Sequence, residues 1–314
     1  MTTLVKTAMT TFGNDLLLQT AVATCFNTVA LSSRTGIHSL PEGMGRIGRR
    51  GVEAGQNAMD NLVNAGRILF AIPMIVFGIQ YIALGKYAGG LPPVPPWAPG
   101  GAAGAYLVGI VLIATGVSMV TKKYARPSAL AIGMLFLLCV LFLQLLHFND
   151  VLHNGNDRTR ALEPLALSAA AFALAALLPR DRSSWSGSRD NQLIWFARIV
   201  FGISMIIFGA QHFMYAQFLA TLVMAWLPAH LVWIYFTGVS MVAAGVSIAT
   251  NIQGRLAGML LGLMFLLWVL LLHAPRVFAH FHNQDELTSL FVALAFCGSS
   301  LIFAGAASAA ASKT

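Results

Sequence analysis

Charge is what this sequence has least of. Only 10% of its 314 residues are Asp, Glu, Lys or Arg, whereas a soluble domain carries about 25%. With 57% hydrophobic residues and a mean hydropathy of +0.74, this is the composition of an integral membrane protein. Cysteine is scarce as well. Cys25, Cys139 and Cys297 stand far apart, with no Cys-x-x-Cys pair and no zinc-ligand spacing, which argues against a thiol–disulfide carrier using its own cysteine pair. Catalytic Ser-His-Asp and phosphate-loop patterns are absent, and so are the short periods of solenoids. The net charge of +8 might point to nucleic acid in a soluble chain. Here the basic residues lie between apolar segments, so they read as topology determinants and no nucleic-acid partner is expected.

What the sequence does have is long apolar runs. A span needs about 20 residues to cross about 30 Å of hydrocarbon. Eight runs are read as spans, at roughly 66–84, 103–121, 127–147, 163–178, 194–215, 230–249, 255–273 and 287–306; the fourth is short but Ala/Leu-rich and could begin earlier. Backbone polar groups cannot stay unpaired in lipid, so these runs must be helices.

The runs are written twice. Phe77-Gly78-Ile79-Gln80-Tyr81 returns as Phe208-Gly209-Ala210-Gln211-His212, and the arginine thirteen residues before each glutamine, Arg67 or Arg198, keeps the same offset of 131 (198 − 67 and 211 − 80). Further on the offset is 129: Trp97 matches Trp226, Gly116-Val117-Ser118 matches Gly245-Val246-Ser247, and Arg126, Gly133 and Phe136 match Arg255, Gly262 and Phe265. Glu163 and Glu286 are read as the starts of the last helix of each copy, 123 residues apart (286 − 163). The expected fold is therefore all-α and membrane-integral: eight transmembrane helices in two tandem four-helix units. The even helix count makes the relating axis run along the membrane normal.

The expected organisation follows from composition. Residues 1–58 are polar and glycine-containing and read as a poorly ordered cytoplasmic extension, with Met59-Asp60-Asn61 resembling a natural start. Residues 59–178 form the first membrane unit and 193–306 the second. Between them, 179–192 is a cytoplasmic linker rich in Pro, Ser, Gly and charge, as flexible connections are. A tail, 307–314, closes the chain. Eleven basic residues, among them Arg50, Lys122, Lys123, Arg189 and Arg255, fall on one side of the spans against four, Lys86, Arg158, Arg160 and Arg276, on the other. The richer side is the cytoplasmic one, which puts both termini inside.

Oriented this way, the polar residues gather at the outer side. Thirteen residues of helix rise about 20 Å, so Gln80 and Gln211 reach the outer third of the membrane. His212 adjoins Gln211. Gln144, His147 and His273 stand at the outer ends of the third and seventh helices, Glu163 and Glu286 on the fourth and eighth, and Trp97 and Trp226 precede the second and sixth. Polar groups are costly in lipid and normally face the bundle interior and each other. Gln211, His212, His273 and Glu286 are expected to converge within one unit, with Gln80, Gln144, His147 and Glu163 as the weaker counterpart. Hydrogen bonding, proton exchange and aromatic stacking suit a quinone head group. Each residue also has a plain role: Trp and His belong at interfaces, Glu favours helix N-termini, and Gln can join helices. His280-x-His282 with Asp285 and Glu286 offers metal-type ligands, but so short a pair recurs by chance and no metal is expected.

Arg67 with Phe77, Gly78 and Gln80, and Arg198 with Phe208, Gly209 and Gln211, each at the head of four apolar helices, resemble the DoxX-like membrane proteins over about residues 60–306. The resemblance implies a bacterial or archaeal inner-membrane protein. Some members are the membrane subunit of thiosulfate:quinone oxidoreductase, and others accompany thiol or quinone stress responses. The expected function is thus redox-associated: a quinone-like ligand held near the outer face, with a redox partner protein, since the chain carries no redox motif of its own. The alternatives are a transporter or permease with its substrate between the halves, or a non-catalytic membrane assembly protein. Whether the chain is an enzyme stays open.

Overall fold

The computed structural model describes residues 42–86, 91–92, 100–144, 148–179, 187–224, 226–280 and 283–311. The chain divides into two units, Met1–Gln56 and Asn57–Thr314. In the first, the described part begins at Glu42 and is helical; residues 1–41 of the expected extension lie outside the described residues.

Among the described residues there are helices and no strand. In chain order they are α1 Glu42–Leu84, α2 Gly101–Thr121, α3 Ala125–Cys139, α4 Phe148–His153, α5 Gly155–Leu177, α6 Gly187–Met214, α7 Ala216–Ala220, α8 His230–Thr250, α9 Gly254–Trp268, α10 Ala274–Ala279 and α11 Gln284–Ala311. Eight stretches are long and apolar enough to cross a membrane. They lie on α1, α2, α3, α5, α6, α8, α9 with its continuation to Ala279, and α11. The chain is a multi-pass, all-α membrane protein. Exposed Ile79, Leu107, Ile110, Val239, Leu260 and Leu263 give the bundle the apolar outer face that lipid requires.

The sequence repeat extends to details of backbone. α2 and α8 both end on a left-handed residue, Lys122 (φ 64°) and Asn251 (φ 62°), and the following helices are both entered through another, Tyr124 (φ 58°) and Gln253 (φ 56°). Non-glycine residues seldom adopt this region, so its recurrence at an offset of 129 marks one turn used twice. α3 and α9 are each continued by a π-helical segment, Val140–Gln144 and Val269–His273, again 129 apart (269 − 140). Such wide turns are frequent at functional sites.

One expectation needs correcting. The fourth span was expected to begin near Glu163, but α5 starts at Gly155, where the Asn154 side chain caps it by accepting from Asn156 N at 2.9 Å. The apolar run begins only near Glu163, after Asp157, Arg158 and Arg160, which the helix includes. Proline is normally found in a first helical turn, whereas here it lies inside the helix. Glu163 is therefore two turns into α5, while Glu286 sits in the first turn of α11. The two glutamates are not equivalent; the partner of Glu163 at the 129 offset is Val292.

Glycines set the packing. A Cβ on Gly78 would lie 2.6 Å from Gly109 O, and one on Gly209 would lie 2.7 Å from Gly238 O, so α1 meets α2, and α6 meets α8, backbone to backbone. Gly66 and Gly298 bring α1 against α11 in the same way, 2.7 Å from a Gly66 Cβ to Gly298 O. Small residues permit this closeness without a hydrophobic drive between helices. The fourth spans are the innermost: 67% and 72% of their windows are buried, against 28–44% for the other six. Alanine enables this, with Ala166, Ala170, Ala171, Ala173 and Ala175 on α5 and Ala295, Ala304 and Ala306 on α11 all buried.

Candidate functional site: two glutamine seams and a histidine–tryptophan stack

Arg67 and Arg198, the most prominent repeated cations, are both buried. Arg67 donates from Nη1 to Met119 O and, at 3.2 Å, to Val120 O, and from Nη2 to Asn64 Oδ1 at 3.4 Å. Arg198 donates from Nη2 to Ala249 O at 3.3 Å. Val120 and Ala249 are equivalent at the 129 offset. Both arginines thus satisfy carbonyls at the C-terminal end of the second span, where the helix has no amide left to offer. A cation there also complements the helix dipole. At the same end of the bundle Arg126 joins the start of α3 to Leu178 O at 3.0 Å and to Asp190 at 2.8 Å. These arginines fasten helices.

The glutamines lie at the other end, and their amides cross between repeats. Gln211 Nε2 donates to Gly155 O at 3.0 Å and Thr159 Oγ1 at 3.3 Å, on the fourth span of the first repeat. Gln80 Nε2 donates to Gln284 Oε1 and Thr288 Oγ1, both at 3.3 Å, on the fourth span of the second. Gly155 and Gln284, and Thr159 and Thr288, are equivalent at 129. Both glutamines are buried, and in both Oε1 has no hydrogen-bond partner among the described residues. The grouping expected from sequence is thereby exchanged: Gln211 is bonded to the helix that carries Glu163, and Gln80 to the helix that carries Glu286.

Around α6 from Gln211, His212 faces a different neighbour. Its Nδ1 lies 2.8 Å from Phe208 O. A carbonyl only accepts, so Nδ1 carries the proton and Nε2 is left for other partners. The ring stacks on Trp268 of α9 with centroids 5.9 Å apart and planes 29° apart. Trp268 also meets Phe265 edge-on at 5.3 Å, and Phe265 stacks on Phe296 of α11 at 5.3 Å. His273 ends the π-helical segment that follows Trp268 and is half-buried, its Nδ1 without a hydrogen-bond partner among the described residues. One turn on, Arg276 donates to Leu222 O at 2.7 Å and lies 4.0 Å from Glu286. Glu163 is half-buried, with Arg160 of the same helix as its electrostatic neighbour.

The remaining candidates are placed as follows. Trp226 is exposed. Gln144 ends the first π-helical segment, equivalent to His273, but its side chain lies outside the described residues, as do His147 and Trp97. His280 is exposed, and no group of three metal-ligating side chains forms among the described residues. Sequence reasoning missed Thr159, Thr288, Trp268 and Arg276. The threonines were legible, being identical residues at the 129 offset. Trp268 gave no such sign, because its counterpart is Cys139.

Two classes of residue now separate. Those kept in both repeats, Arg67 and Arg198, Gln80 and Gln211, and the paired glycines, join helices. Those that differ, Tyr81 against His212, Cys139 against Trp268 and Gln144 against His273, give the second repeat its stacked ring and its free imidazole nitrogens.

The fold defines a class: a helical membrane protein with eight apolar spans among the described residues, written in a repeated sequence. No protein-family model, no curated protein and no solved structure matches the chain.

Proposed function

We propose that this is a DoxX-like, redox-associated protein of the inner (cytoplasmic) membrane, with both termini cytoplasmic, that binds a quinone-like molecule at its outer end and works with a redox partner protein. The observation that carries the reading is the His212–Trp268 stack, with the imidazole's Nδ1–H committed to Phe208 O. A flat aromatic wall beside an imidazole nitrogen that can exchange hydrogen bonds fits a planar ring bearing oxygens. The reciprocal glutamine contacts support two units related by an axis along the membrane normal, with the site in the second. Extraction of the purified chain for lipid-soluble cofactors tests the reading. A co-purifying quinone is expected, and its loss from Trp268→Ala. A chain without quinone whose Trp268→Ala form behaves as the wild type overturns it.

An assembly role is the second reading, favoured by the use of both arginines and both glutamines to hold helices. A stable protein partner in the absence of any small ligand would establish it.

A further inference from the structure

Between α8 and α9 lies a groove of about 480 Å³, a volume usual for ligand pockets. It runs from Phe236 to Ser247 along α8 and from Leu267 back to Gln253 along α9. The eleven residues from Phe236 to Ser247 (247 − 236) rise about 16 Å, roughly half of the hydrocarbon thickness of a bilayer. Its floor includes the buried Ala244 and Leu261, while its rim carries the exposed Phe236, Leu256, Leu260 and Leu263. The groove therefore opens sideways onto the apolar face that meets lipid.

One end of the groove adjoins the histidine–tryptophan stack. Leu261, Met264 and Trp268 recur at three- and four-residue spacing and so share one face of α9. The first two line the groove, and Trp268 stands one turn further on, against the His212 ring. α8 reaches the same level: a Cβ on Gly238, two residues from Phe236, would lie 3.1 Å from the His212 Cβ. Groove and stack also depend on changes confined to the second repeat. In the first, Ser128 Oγ donates to Ser118 Oγ at 2.7 Å and ties α2 to α3. At the 129 offset Ser118 becomes Ser247 but Ser128 becomes Ala257, which has no hydroxyl, just as Cys139 becomes Trp268.

We infer that the α8–α9 groove holds the long apolar tail of the ligand whose ring lies against Trp268, a tailed, isoprenoid-type quinone-like lipid that enters sideways from the bilayer. A phospholipid chain in the same place would bring a phosphate to one end, yet no Lys, Arg or His is among the described residues that line the groove. An aromatic head group finds Trp268 at the outer end instead. A methylene gains little on passing from lipid to an equally apolar protein surface. The groove therefore orients the tail, and the stack selects the ring. The inference rests on the proposed quinone-like ligand and adds where its tail lies and from which side it enters; it concerns binding alone.

The full chain in lipid nanodiscs is irradiated with a 1,4-benzoquinone whose long alkyl tail carries a diazirine at its middle, and the labelled peptides are mapped. Labelling is expected on 236–247 and 253–267. The same quinone without the diazirine should compete it away, and an alkanol of the same chain length should not. Ala243→Phe fills the groove from an exposed lining position and should cut the labelling about fivefold or more, the scale of overpacking. Ser240→Phe is a second filling variant, and Ala114→Phe, the equivalent of Ala243→Phe in the first repeat, should leave the labelling unchanged. Quinone-competed labelling confined to other spans overturns the inference and leaves the quinone-like reading intact. Competition by the alkanol as strong as by the quinone makes the groove a site for any chain and also overturns it. Undiminished labelling in the folded filling variants does the same. No labelling that the quinone competes, anywhere in the chain, overturns both readings.

Discussion

The amide of Gln211 reaches Thr159 Oγ1 at 3.3 Å across the boundary between the repeats, and Gln80 reaches Thr288 Oγ1 at the same distance in the opposite sense. Each repeat thus supplies the first-span glutamine of one seam and the fourth-span threonine of the other. Among the described residues, neither glutamine amide bonds to the fourth span of its own sequence repeat. The seams are built from equivalent parts, yet they differ in what surrounds them: the Gln211 seam has Glu163 one turn deeper and His212 with Trp268 beside it, while the Gln80 seam has Val292 and Tyr81.

Loss of either seam contact should destabilise the bundle modestly. Hydrogen bonds between membrane helices contribute on average about 0.6 kcal/mol and at most about 1.7. Gln80→Leu and Gln211→Leu should each lower the unfolding free energy within that range. The double variant should show the sum, because the two sites share no partner. Denaturant titration in mixed micelles measures all three, and a double variant no weaker than either single one would contradict two independent seams.

The arginines should be unequal despite their repeat equivalence. Among the described residues, Arg67 donates to two carbonyls and to Asn64, while Arg198 donates to Ala249 O alone. A hydrogen bond from a charged donor contributes about 1.5–3 kcal/mol. Arg67→Met should therefore cost roughly twice what Arg198→Met costs, read as the loss of thermal stability in detergent. The reverse order would mean that burial of the guanidinium, and not its carbonyl contacts, sets the cost.

Orientation is open to a direct test. The proposed topology places the turn after α2 inside and the turn before α5 outside. Reporter domains fused after Lys123 and after Asn154 should read cytoplasmic and external, respectively. Both reporters on one side would break the span count, and the opposite assignment would move the histidine–tryptophan site to the cytoplasmic face.

Much of the frame was readable from the chain. Span length, helical state and the twofold repetition follow from apolar run length and from the need to pair every backbone group locally in lipid. These are local properties, so sequence suffices for them. The repeat offsets even contained the seam threonines, at 159 and 288. The start of the fourth span was set late because its apolar run begins only near Glu163, after Asp157, Arg158 and Arg160, and the Asn154 cap shows that the helix starts at Gly155.

The site was less legible, for a different reason. Sequence repetition pointed to Gln80 and Gln211 as residues of function, and the structure uses both, like the repeated Arg67 and Arg198, to join helices. A side chain in lipid bonds whatever helix packs against it, and that is a property of tertiary arrangement which no spacing within one helix records. What the sequence determined was which residues are buried polar groups at each end of the membrane. What only the tertiary structure decided was their partners: that Gln211 spends its donors on α5 of the other repeat and leaves Oε1 without a partner among the described residues, and that His212 turns to Trp268. Those choices depend on helix-to-helix packing through Gly78, Gly209 and Gly298, between residues more than two hundred positions apart in the chain, as Gln80 and Gln284 are.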